Sequence, residues 1–455
     1  MPPREISQRS QSKNRKASSP KPADSPVAAK KSPLGKSSDA KPQPSRHNAL
    51  AASGAYISHR AADRLRAGHV WVYRSDIEKL VVPSEDARLL PVHDSRGLFL
   101  GTALYSANSQ IALRMISPNR LDQHGWLALF RERLHAAIQF RKTGASAGDE
   151  DTNAGRLVFS EADFLPGLIA DKYGDLVVLQ IQTHGMDTSE IRQTVLDTLI
   201  AEINPRAVFE RSDPRIVELE QLTPPPDSAL YCKPGASSQA STIFELNGLR
   251  FHYDANSGQK TGAFLDQREN YSAAARHSRG EALDVCTYHG GFALHLARVC
   301  SHVTGVDASR PALEVAEQNL ALNRENLGSI EVDWVEANAF DLLRDWSDTG
   351  RKFDSIVLDP PAFAKSKKAA EGALRGYKEL NLRALKMLRP GGTLVTCSCS
   401  HHVSLEDFTA VITAAGVDSK RQVRLLERRG AALDHPVLLT VPETEYLKCL
   451  ICRVD

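Results

Sequence analysis

Lys352-Phe-Asp-Ser-Ile-Val-Leu-Asp-Pro-Pro-Ala-Phe363 is the segment with the clearest signal of the fold class. Its small and apolar residues 355–358 predict a short buried strand, and the two prolines after Asp359 end it because proline lacks the N–H that a sheet needs. An acidic side chain is therefore expected at the carboxyl end of a strand. Ligands bind at that end in open α/β sheets, so the stretch predicts an α/β fold with Asp359 at its ligand-binding edge.

Predicted strands and helices alternate from Glu281 to the end of the chain. Helices are indicated where apolar residues recur at spacings of three and four, and strands where short apolar runs end in turn residues. This alternation predicts a parallel, doubly wound sheet of the Rossmann-like type. The predicted strands are residues 282–285, 302–307, 331–335, 355–358 and 393–396, with two late strands near 423 and at 446–454.

The amino-terminal half has a different pattern. Short β-rich pieces between residues 55 and 117 are separated by turn signals, which predicts a small β-barrel. A helix from Asn119 to Thr143 follows, and then strands and a helix that predict a small α/β unit ending in a hairpin at 242–253. The predicted divisions are a tail at 1–50, a barrel at 53–120, a helix and central α/β domain at 121–255, and the doubly wound domain at 256–455.

Charge is unevenly distributed along the 455 residues, although the net charge is only +2. Residues 1–50 carry eleven Lys or Arg against three Asp or Glu, a net +8, whereas the remainder carries 46 basic against 52 acidic residues, a net −6. The tail has almost no large apolar residue, so we expect it to be disordered. It is either a solvated tail without a specific partner or a nonspecific tether for RNA.

The sequence predicts a cytoplasmic protein. It contains no apolar run of about 18 residues or more, and its amino terminus lacks the pattern of a signal peptide. The seven cysteines are odd in number and have no paired metal spacing, which predicts reduced thiols and no metal site.

A nucleotide-like ligand site is predicted after the first strand of the doubly wound domain. The segment from Asp284 to Phe292 includes Tyr288, Gly290 and Gly291, and glycines there allow a ligand to approach the helix amino terminus. Asp307 lies 23 residues beyond Asp284, near the spacing at which an acid meets ribose hydroxyls. The Gly-x-Gly-x-x-Gly pattern of dinucleotide sites is missing, so a dinucleotide is disfavoured.

A ligand with one ribose, one adenine and no phosphate suits this loop better, and S-adenosylmethionine is such a ligand. Asn338 follows the third strand and is placed to meet the adenine amino group. The competing interpretation is that Asp307 and Asn338 are ordinary helix caps. The combination with Asp284, the glycine pair and Asp-Pro-Pro favours the cofactor site.

Two motifs could carry the chemistry. Asp359-Pro-Pro-Ala-Phe363 resembles the signature of methyltransferases that act on planar amino groups of bases. Thr396-Cys-Ser-Cys-Ser400 instead places cysteines past the fifth strand, and methylation of carbon 5 of a pyrimidine requires a thiolate to add at carbon 6. Cys399 is therefore a candidate nucleophile, with a buried structural cysteine as the equal alternative. Asp359 could orient a cytosine through its ring nitrogen and exocyclic amine.

Five motifs in order resemble the large-subunit ribosomal RNA methyltransferases of the cytosine-5 type, the family of ribosomal RNA large subunit methyltransferase I. The likeness runs from about residue 53 to the end of the chain. The motifs are Gly258-Gln-Lys-Thr-Gly-Ala-Phe-Leu-Asp-Gln-Arg268, Tyr288-His-Gly-Gly-Phe292, Asp359-Pro-Pro-Ala-Phe363, Arg375-Gly-Tyr-Lys378 and Thr396-Cys-Ser-Cys-Ser400.

The resemblance implies a PUA barrel, a small central α/β domain and an S-adenosylmethionine-dependent methyltransferase domain. It places the nucleophile at Cys399 and adds Gln267 and Asp359 to the expected cofactor contacts. Two departures are Asn338, where an acid is usual, and His289-Gly-Gly in place of Thr-Gly-Gly. Other RNA cytosine-5 methyltransferases carry Pro-Cys where this chain has Asp-Pro-Pro, so either water or Asp359 could remove the proton from carbon 5.

The expected partner is 23S ribosomal RNA or a large-subunit assembly intermediate, whose target base must be unpaired or swung out. The resemblance also raises a homodimer as an expectation. Alternatives are an rRNA guanine or amino-group N-methyltransferase, and a noncatalytic RNA-binding assembly factor. Four arginines near the start of the barrel are the expected RNA-docking surface or, alternatively, a surface charge cluster: Arg60, Arg64, Arg66 and Arg74.

Overall fold

The computed structural model describes residues 53–84, 86–145, 151–256, 263–364 and 366–455. The predictions for the basic tail and for the first five residues of the 258–268 motif lie outside the described residues. Within the described part of the chain, no helix is long and apolar enough to cross a lipid bilayer.

The first sheet is antiparallel apart from one parallel pair. Its elements are β1 (Gly54–Ile57), α1 (His59–Arg66), β2 (Trp71–Tyr73), β3 (Ile77–Val81), β4 (Leu89–Asp94), β5 (Phe99–Tyr105) and β6 (Ile111–Ser117). The strand order is β2-β6-β5-β4-β1-β3, with β1 and β4 parallel. One face of the sheet and α1 enclose an apolar core that includes Ile57, Ala61 and Val92. The sequence analysis did not predict β1, α1 or β3, because all three segments are short and α1 and β3 are also rich in charged residues.

The second sheet is mixed and packs against a long helix. Its elements are α2 (Gln123–Phe140), β7 (Ala154–Phe159), β8 (Leu168–Tyr173), β9 (Leu176–Ile181), α3 (Ser189–Glu202), β10 (Ala207–Glu210), α4 (Pro214–Glu220) and β11 (Tyr231–Cys232). The order is β11-β10-β9-β8-β7. Trp126, Phe130, Leu134 and Ile138 recur at every fourth position of α2 and are buried in the core against this sheet, as helical periodicity requires.

A hairpin of β12 (Ser241–Leu246) and β13 (Leu249–Asp254) follows. Asn247 and Gly248 form its turn with φ of 50° and 73°, and two-residue turns of this kind require positive φ at both positions. The ring of Tyr253 stacks on that of Tyr173 with centroids 3.9 Å apart. Because Phe244 and Phe251 belong to a core that also contains residues of the third sheet, the hairpin ties the second and third sheets together.

The third sheet has seven strands in the order β16-β15-β14-β17-β18-β20-β19, and only β20 is antiparallel to its neighbours. This is the predicted doubly wound α/β arrangement. The elements are α5 (Arg268–His277), β14 (Glu281–Val285), α6 (Gly291–Leu296), β15 (His302–Asp307), α7 (Arg310–Leu322), α8 (Arg324–Leu327), β16 (Glu331–Glu336), α9 (Ala339–Asp348), β17 (Phe353–Leu358), α10 (Ala370–Met387), β18 (Leu388–Ser398), α11 (Leu405–Ser419), β19 (Val423–Arg429) and β20 (Lys448–Val454).

Several predicted boundaries differ from those observed. The helix after Gly290 ends at Leu296 rather than Cys300, and β18 begins at Leu388 rather than Thr393. Gly391, with a φ of 71°, lets the Pro-Gly-Gly segment join the strand through a local irregularity instead of remaining a loop. The domain boundaries at residues 120 and 255 remain our proposal.

Candidate active site

The loop between β14 and α6 has a strained backbone. Cys286, Tyr288 and Gly290 all have positive φ, of 64°, 50° and 84°. Non-glycine residues seldom adopt this conformation, and it is concentrated at functional sites. Gly291 comes within van der Waals contact of the neighbouring helix, because a Cβ added to it would lie 2.6 Å from the ring of Tyr271.

Asp284, near the end of β14, holds this loop through hydrogen bonds. One oxygen, Oδ2, accepts hydrogen bonds from Thr287 Oγ1 at 2.5 Å and from the Ala293 backbone N–H at 2.9 Å. The other oxygen is buried and has no hydrogen-bond partner among the described residues. Burial raises the pKa of the Asp284 carboxyl to about 7, and the charge of Asp307 adds to the rise. A buried acceptor without a partner fits a ligand that carries hydrogen-bond donors.

Asp307 and Asn338 occupy the ends of β15 and β16. Asp307 accepts hydrogen bonds from the backbone N–H groups of Tyr288 and Ser309, both at 2.9 Å, so its carboxylate is fixed against the strained loop. Asn338 is the N-cap of α9, and its Oδ1 accepts from the N–H groups of Phe340 and Asp341. The cap interpretation of Asn338 therefore describes its local role, and its contact with adenine stays a prediction.

Asp359 leaves β17 at the same edge of the sheet, and Gln267 holds its side chain. Gln267 Nε2 donates to Asp359 Oδ1 at 3.0 Å, while Gln267 Oε1 accepts from Asn270 Nδ2 at 2.7 Å. Both polar ends of the Gln267 amide thus have protein partners. We propose that Gln267 positions Asp359, a role different from the direct cofactor contact that the sequence analysis expected.

The Asp359 carboxyl is in an unusual electrostatic environment. Burial raises its pKa to about 8, and the charges of Asp266 and Asp284 contribute to the rise, whereas the hydrogen bond from Gln267 opposes it. Asp359 is therefore mostly protonated at neutral pH. A protonated carboxyl can donate one hydrogen bond and accept another.

Cys397 and Cys399 lie in different environments. The parallel register of Leu358 with Thr396 brings the end of β17 beside the end of β18. Cys397 is fully buried opposite Cys449 of β20, whereas Cys399 follows the last residue of β18 and is partly exposed. Of these two cysteines, Cys399 is therefore the one at the ligand edge, where the partly exposed Cys286 also follows β14. Ser400 joins the two strand ends, because its Oγ accepts a hydrogen bond from the Ala364 backbone N–H at 3.2 Å.

Lys448 lies beside Cys399 and was not identified from the sequence. It pairs across the sheet with Ser398, and its Nζ donates to the carbonyl oxygens of Ser400 at 2.7 Å and Tyr446 at 2.8 Å. Among the described residues it is the one buried lysine, with 6% of its surface exposed. Burial lowers the pKa of Lys448 to about 8, although its attraction to Cys399 opposes that shift.

The arginines expected to dock RNA are mostly committed within the first sheet. Arg64 pairs with Asp76 at 2.6 Å, and Arg66 pairs with Asp94 at 2.7 Å and with Asp63 at 3.1 Å. Arg74 donates to the backbone carbonyls of Ser106 and Ser109. Of the four, only Arg60 is fully exposed on α1 without an ion pair among the described residues. The group is therefore less basic than its composition indicates.

Comparison with known proteins identifies the family of this chain. Residues 56–118 match the PUA-like domain family, and residues 168–443, more than half of the chain, match the S-adenosylmethionine-dependent methyltransferases. The chain is 36% identical over 407 residues to ribosomal RNA large subunit methyltransferase I of Pseudoalteromonas translucida, which covers 88% of this chain and 99% of that protein. It belongs to the ribosomal RNA large subunit methyltransferase I family.

The protein of the same name from Citrobacter koseri is 35% identical over 390 residues, 85% of this chain and 95% of that protein. The crystal structure of SMU.776, a protein assigned as a methyltransferase and complexed with SAH, superposes with a TM-score of 0.73 at 20% identity over 88% of this chain and all of that chain. This second likeness concerns the fold. The predicted family, the fold class and S-adenosylmethionine as cofactor are confirmed.

Proposed function

We propose that this member of the family methylates carbon 5 of a cytosine in 23S ribosomal RNA through a covalent bond from Cys399 to carbon 6. The substrate class comes from relatives named for large-subunit ribosomal RNA. The observation that carries the chemistry is the partly exposed Cys399, which follows β18 beside the end of β17 that bears Asp359. A thiol and a base-binding acid at one edge of the sheet are the two groups that cytosine C5 methylation needs.

The protonated form of Asp359 can bind the base-pairing edge of cytosine. A carboxyl with a pKa of about 8 can donate its proton to N3 of cytosine and accept a hydrogen bond from the exocyclic amine. That pair of bonds withdraws electrons from the ring and favours addition of a nucleophile at carbon 6. Guanine can also offer an acceptor beside a donor, O6 beside N1–H, so the protonated carboxyl alone does not separate the two bases. The preference for cytosine rests on Cys399, because methylation of a guanine nitrogen needs no thiolate.

Lys448 is proposed to hold Cys399 as a thiolate. Its ammonium lies against the Cys399–Ser400 segment, bonded to the Ser400 carbonyl, and a nearby cation stabilises a thiolate. When the fully protonated pair loses one proton to solvent, sulfur keeps the bonding electrons and Lys448 keeps its own proton. The thiolate then adds to carbon 6 of the cytosine, and the ring electrons move toward carbon 5.

When bound, S-adenosylmethionine would supply the methyl group: the electrons at carbon 5 would form the new C–C bond, while the S–CH3 bond breaks and its electrons stay on the cofactor sulfur. We propose that hydrogen-bond donors of S-adenosylmethionine meet Asp284 and Asp307, that the cofactor approaches the backbone of Tyr288, Gly290 and Gly291, and that Asn338 and the backbone of Asp359 complete the site. Water is assigned as the base that removes the carbon 5 proton, because Asp359 is engaged with the pyrimidine through both oxygens. The electrons of that C–H bond re-form the 5,6 double bond and release the Cys399 thiolate.

The test compares two cysteine variants. We expect Cys399→Ala to bind S-adenosylmethionine normally and to form no 5-methylcytosine. Cys397→Ala should keep activity, because the Cys397 thiol is fully buried and cannot reach a substrate. RNA containing 5-fluorocytosine should form a denaturation-stable adduct with the wild-type protein and with Cys397→Ala, but not with Cys399→Ala. Full activity of Cys399→Ala would remove the mechanism.

Mass spectrometry of nucleosides from reacted 23S ribosomal RNA separates the remaining alternatives. A methylated guanine or amino group would indicate an N-methyltransferase, and no methyl transfer to naked or partly assembled RNA would indicate a noncatalytic assembly factor. We further propose a large-subunit assembly intermediate as the natural substrate, since assembled ribosomes hide their bases, and the cytoplasm as the location. The homodimer stays a prediction.

A further inference from the structure

A row of aromatic and basic side chains crosses four strands of the first sheet. Tyr56 of β1 is the direct cross-strand partner of Lys79 on β3 and of His93 on β4. His93 in turn pairs with Phe99 on β5. Arg120, which follows β6, places its guanidinium carbon 4.6 Å from the centre of the Phe99 ring. These five residues, Lys79, Tyr56, His93, Phe99 and Arg120, are called the aromatic row below.

The aromatic row lies on the face of the sheet that is turned away from the apolar core. Ala55 and Ile57, which flank Tyr56 along β1, are fully buried in that core, so Tyr56 points to the other side. Tyr56 and Phe99 are partly exposed and belong to none of the apolar cores. Leu98, which precedes Phe99, is 61% exposed.

The rings form a continuous surface with a cation at each end. Tyr56 and His93 stack with centroids 5.1 Å apart and planes 21° apart, and His93 meets Phe99 at 5.7 Å. Lys79 Nζ lies 5.3 Å from the centre of the Tyr56 ring. Both cations are exposed and sit on long side chains that can exchange a ring for a phosphate.

His93 supplies a polar group with no partner. It is 8% exposed, and its Nδ1 is buried without a hydrogen bond among the described residues. Burial lowers the pKa of His93, and the charge of Arg120 lowers it further, so the imidazole is neutral at physiological pH. The Nδ1 atom lies beside Gly54, since a Cβ added to Gly54 would be 3.2 Å from it, so His93 contributes to the row through its ring and not through a polar contact with a ligand.

We propose that the aromatic row binds unpaired nucleotides of the RNA substrate, with bases stacked on Tyr56 and Phe99 and phosphates paired with Lys79 and Arg120. Single-stranded RNA is recognised by aromatic rings flanked by cations, since every base has a face that can stack. The inference rests on the proposed function, because it concerns the same RNA. The aromatic row is distinct from the four arginines that were expected to dock RNA. Those arginines lie on α1 and directly after β2, and Arg64 and Arg66 are paired with the protein's own acids.

The experiment measures binding of a fluorescein-labelled single-stranded RNA, and of a fully paired duplex of the same composition, to the full-length protein. Tyr56→Leu and Phe99→Leu remove the rings and keep an apolar side chain in each strand, while Tyr56→Phe and Phe99→Tyr keep them. Tyr73→Leu is the matched control, because Tyr73 also carries an arginine on its ring, at 5.2 Å, but lies on β2 outside the row. Arg60→Ala tests the surface expected from sequence.

Each loss of a ring should weaken binding of the single strand about tenfold, and Tyr56→Phe and Phe99→Tyr should restore it. Lys79→Ala and Arg120→Ala should each reduce the slope of log affinity against log salt by about one. Duplex binding and Tyr73→Leu should change little. S-adenosylmethionine binding, measured on every variant, reports whether the methyltransferase part is folded, and thermal unfolding followed by far-ultraviolet circular dichroism reports whether the rest of the chain is folded.

Unchanged single-strand binding in folded Tyr56→Leu and Phe99→Leu would overturn the proposal, and so would an equal loss of duplex binding. A loss confined to Arg60→Ala would assign RNA docking to α1 instead. These outcomes do not depend on the chemistry, since failure of the proposed function appears as missing 5-methylcytosine with the wild-type protein while RNA binding persists.

Discussion

Gln267 donates a hydrogen bond of 3.0 Å from Nε2 to Oδ1 of Asp359. The bond joins the last part of the 258–268 motif to the Asp-Pro-Pro motif, which is about ninety residues later in the chain. Gln267 is itself fixed, because its Oε1 accepts from Asn270 and its side chain is 2% exposed. Asp359 Oδ1 is thereby committed as an acceptor, so a proton on the carboxyl lies on Oδ2.

Asp359 is predicted to act in its protonated form. Asn carries the same donor and acceptor pair but does not titrate, so Asp359→Asn should keep activity within about tenfold of wild type, whereas Asp359→Ala should lose about a hundredfold or more. Wild-type Asp359 loses its proton as pH rises through about 8. The ratio of kcat/KM for Asp359→Asn to that for wild type should therefore rise between pH 7 and 9. Equal inactivity of both variants at pH 7 would contradict the protonated role.

Lys448 is predicted to set the pH at which Cys399 becomes reactive. The rate of iodoacetamide alkylation at Cys399, followed by peptide mass spectrometry, should have its pH midpoint raised by about 1–3 units in Lys448→Met, because a neighbouring cation is lost. Lys448→Arg should keep the wild-type midpoint. The control is Lys378→Met, which removes an exposed lysine paired with Asp418.

The ionisable groups that interact electrostatically with this pair include Tyr377, on the Cys399 side, and Glu445, on the Lys448 side. Neither is altered in these variants. One shared midpoint for wild type, Lys448→Met and Lys448→Arg would show that Lys448 has only a structural role.

Asp434 is predicted to be a major contributor to stability. It is fully buried, accepts from Arg268 Nη1 at 3.0 Å and from the Arg156 backbone N–H at 2.9 Å, and contacts His435 at 2.8 Å. Asp434→Asn leaves Arg268 without its buried counter-ion, so the free energy of unfolding should fall by about 3–5 kcal/mol. Asp175→Asn, in a half-exposed pair with Arg206, should cost less than about 1 kcal/mol.

Wild type and Asp434→Asn can also be compared as a function of pH. Burial by itself would raise the pKa of Asp434, but His435 and Arg268 together hold it well below the ordinary value. A carboxyl with a depressed pKa in the folded state stabilises the fold above its unfolded pKa, and this contribution is lost as the pH falls below about 4. The difference in Tm between wild type and Asp434→Asn should therefore shrink on acidification. A constant difference would contradict the ion-pair explanation.

Gly291 is predicted to be intolerant of any side chain. A Cβ there would lie 2.6 Å from Cζ and Oη of Tyr271, a residue of α5 whose ring packs against α6. Gly291→Ala should therefore displace the loop before α6 and weaken S-adenosylmethionine binding about tenfold, since overpacking costs about 1–3 kcal/mol. Gly372→Ala is the control: it meets only the end of Arg375 at 3.9 Å, in an exposed helical turn. Equal cofactor affinity in both variants would contradict the prediction.

Local patterns in the sequence predicted the elements whose signals are strong. The apolar runs of the parallel strands and the prolines after Asp359 are local, so the succession of strands along the chain and the acid after β17 could be predicted without a structure, whereas the order of strands within the sheet was not predicted. Short, charged elements such as α1 and β3 were missed, because their stability comes from packing rather than from periodicity. The extent of β18 was also missed, because Gly391 allows an irregular strand where glycine and proline indicate a loop.

The family, the cofactor class and the two motifs that contain Asp359 and Cys399 could be identified from the sequence alone, because these depend on residue types at short spacings. The tertiary structure decided which groups surround them. Lys448 and Gln267 reach Cys399 and Asp359 only through sheet register and the packing of α5, and contacts between residues distant in the chain leave no local pattern. The first sheet gives a second example. The sequence shows arginines and aromatic residues in this region, but only the strand pairing shows that most of the arginines are paired with acids or backbone carbonyls and that the aromatic residues form a row.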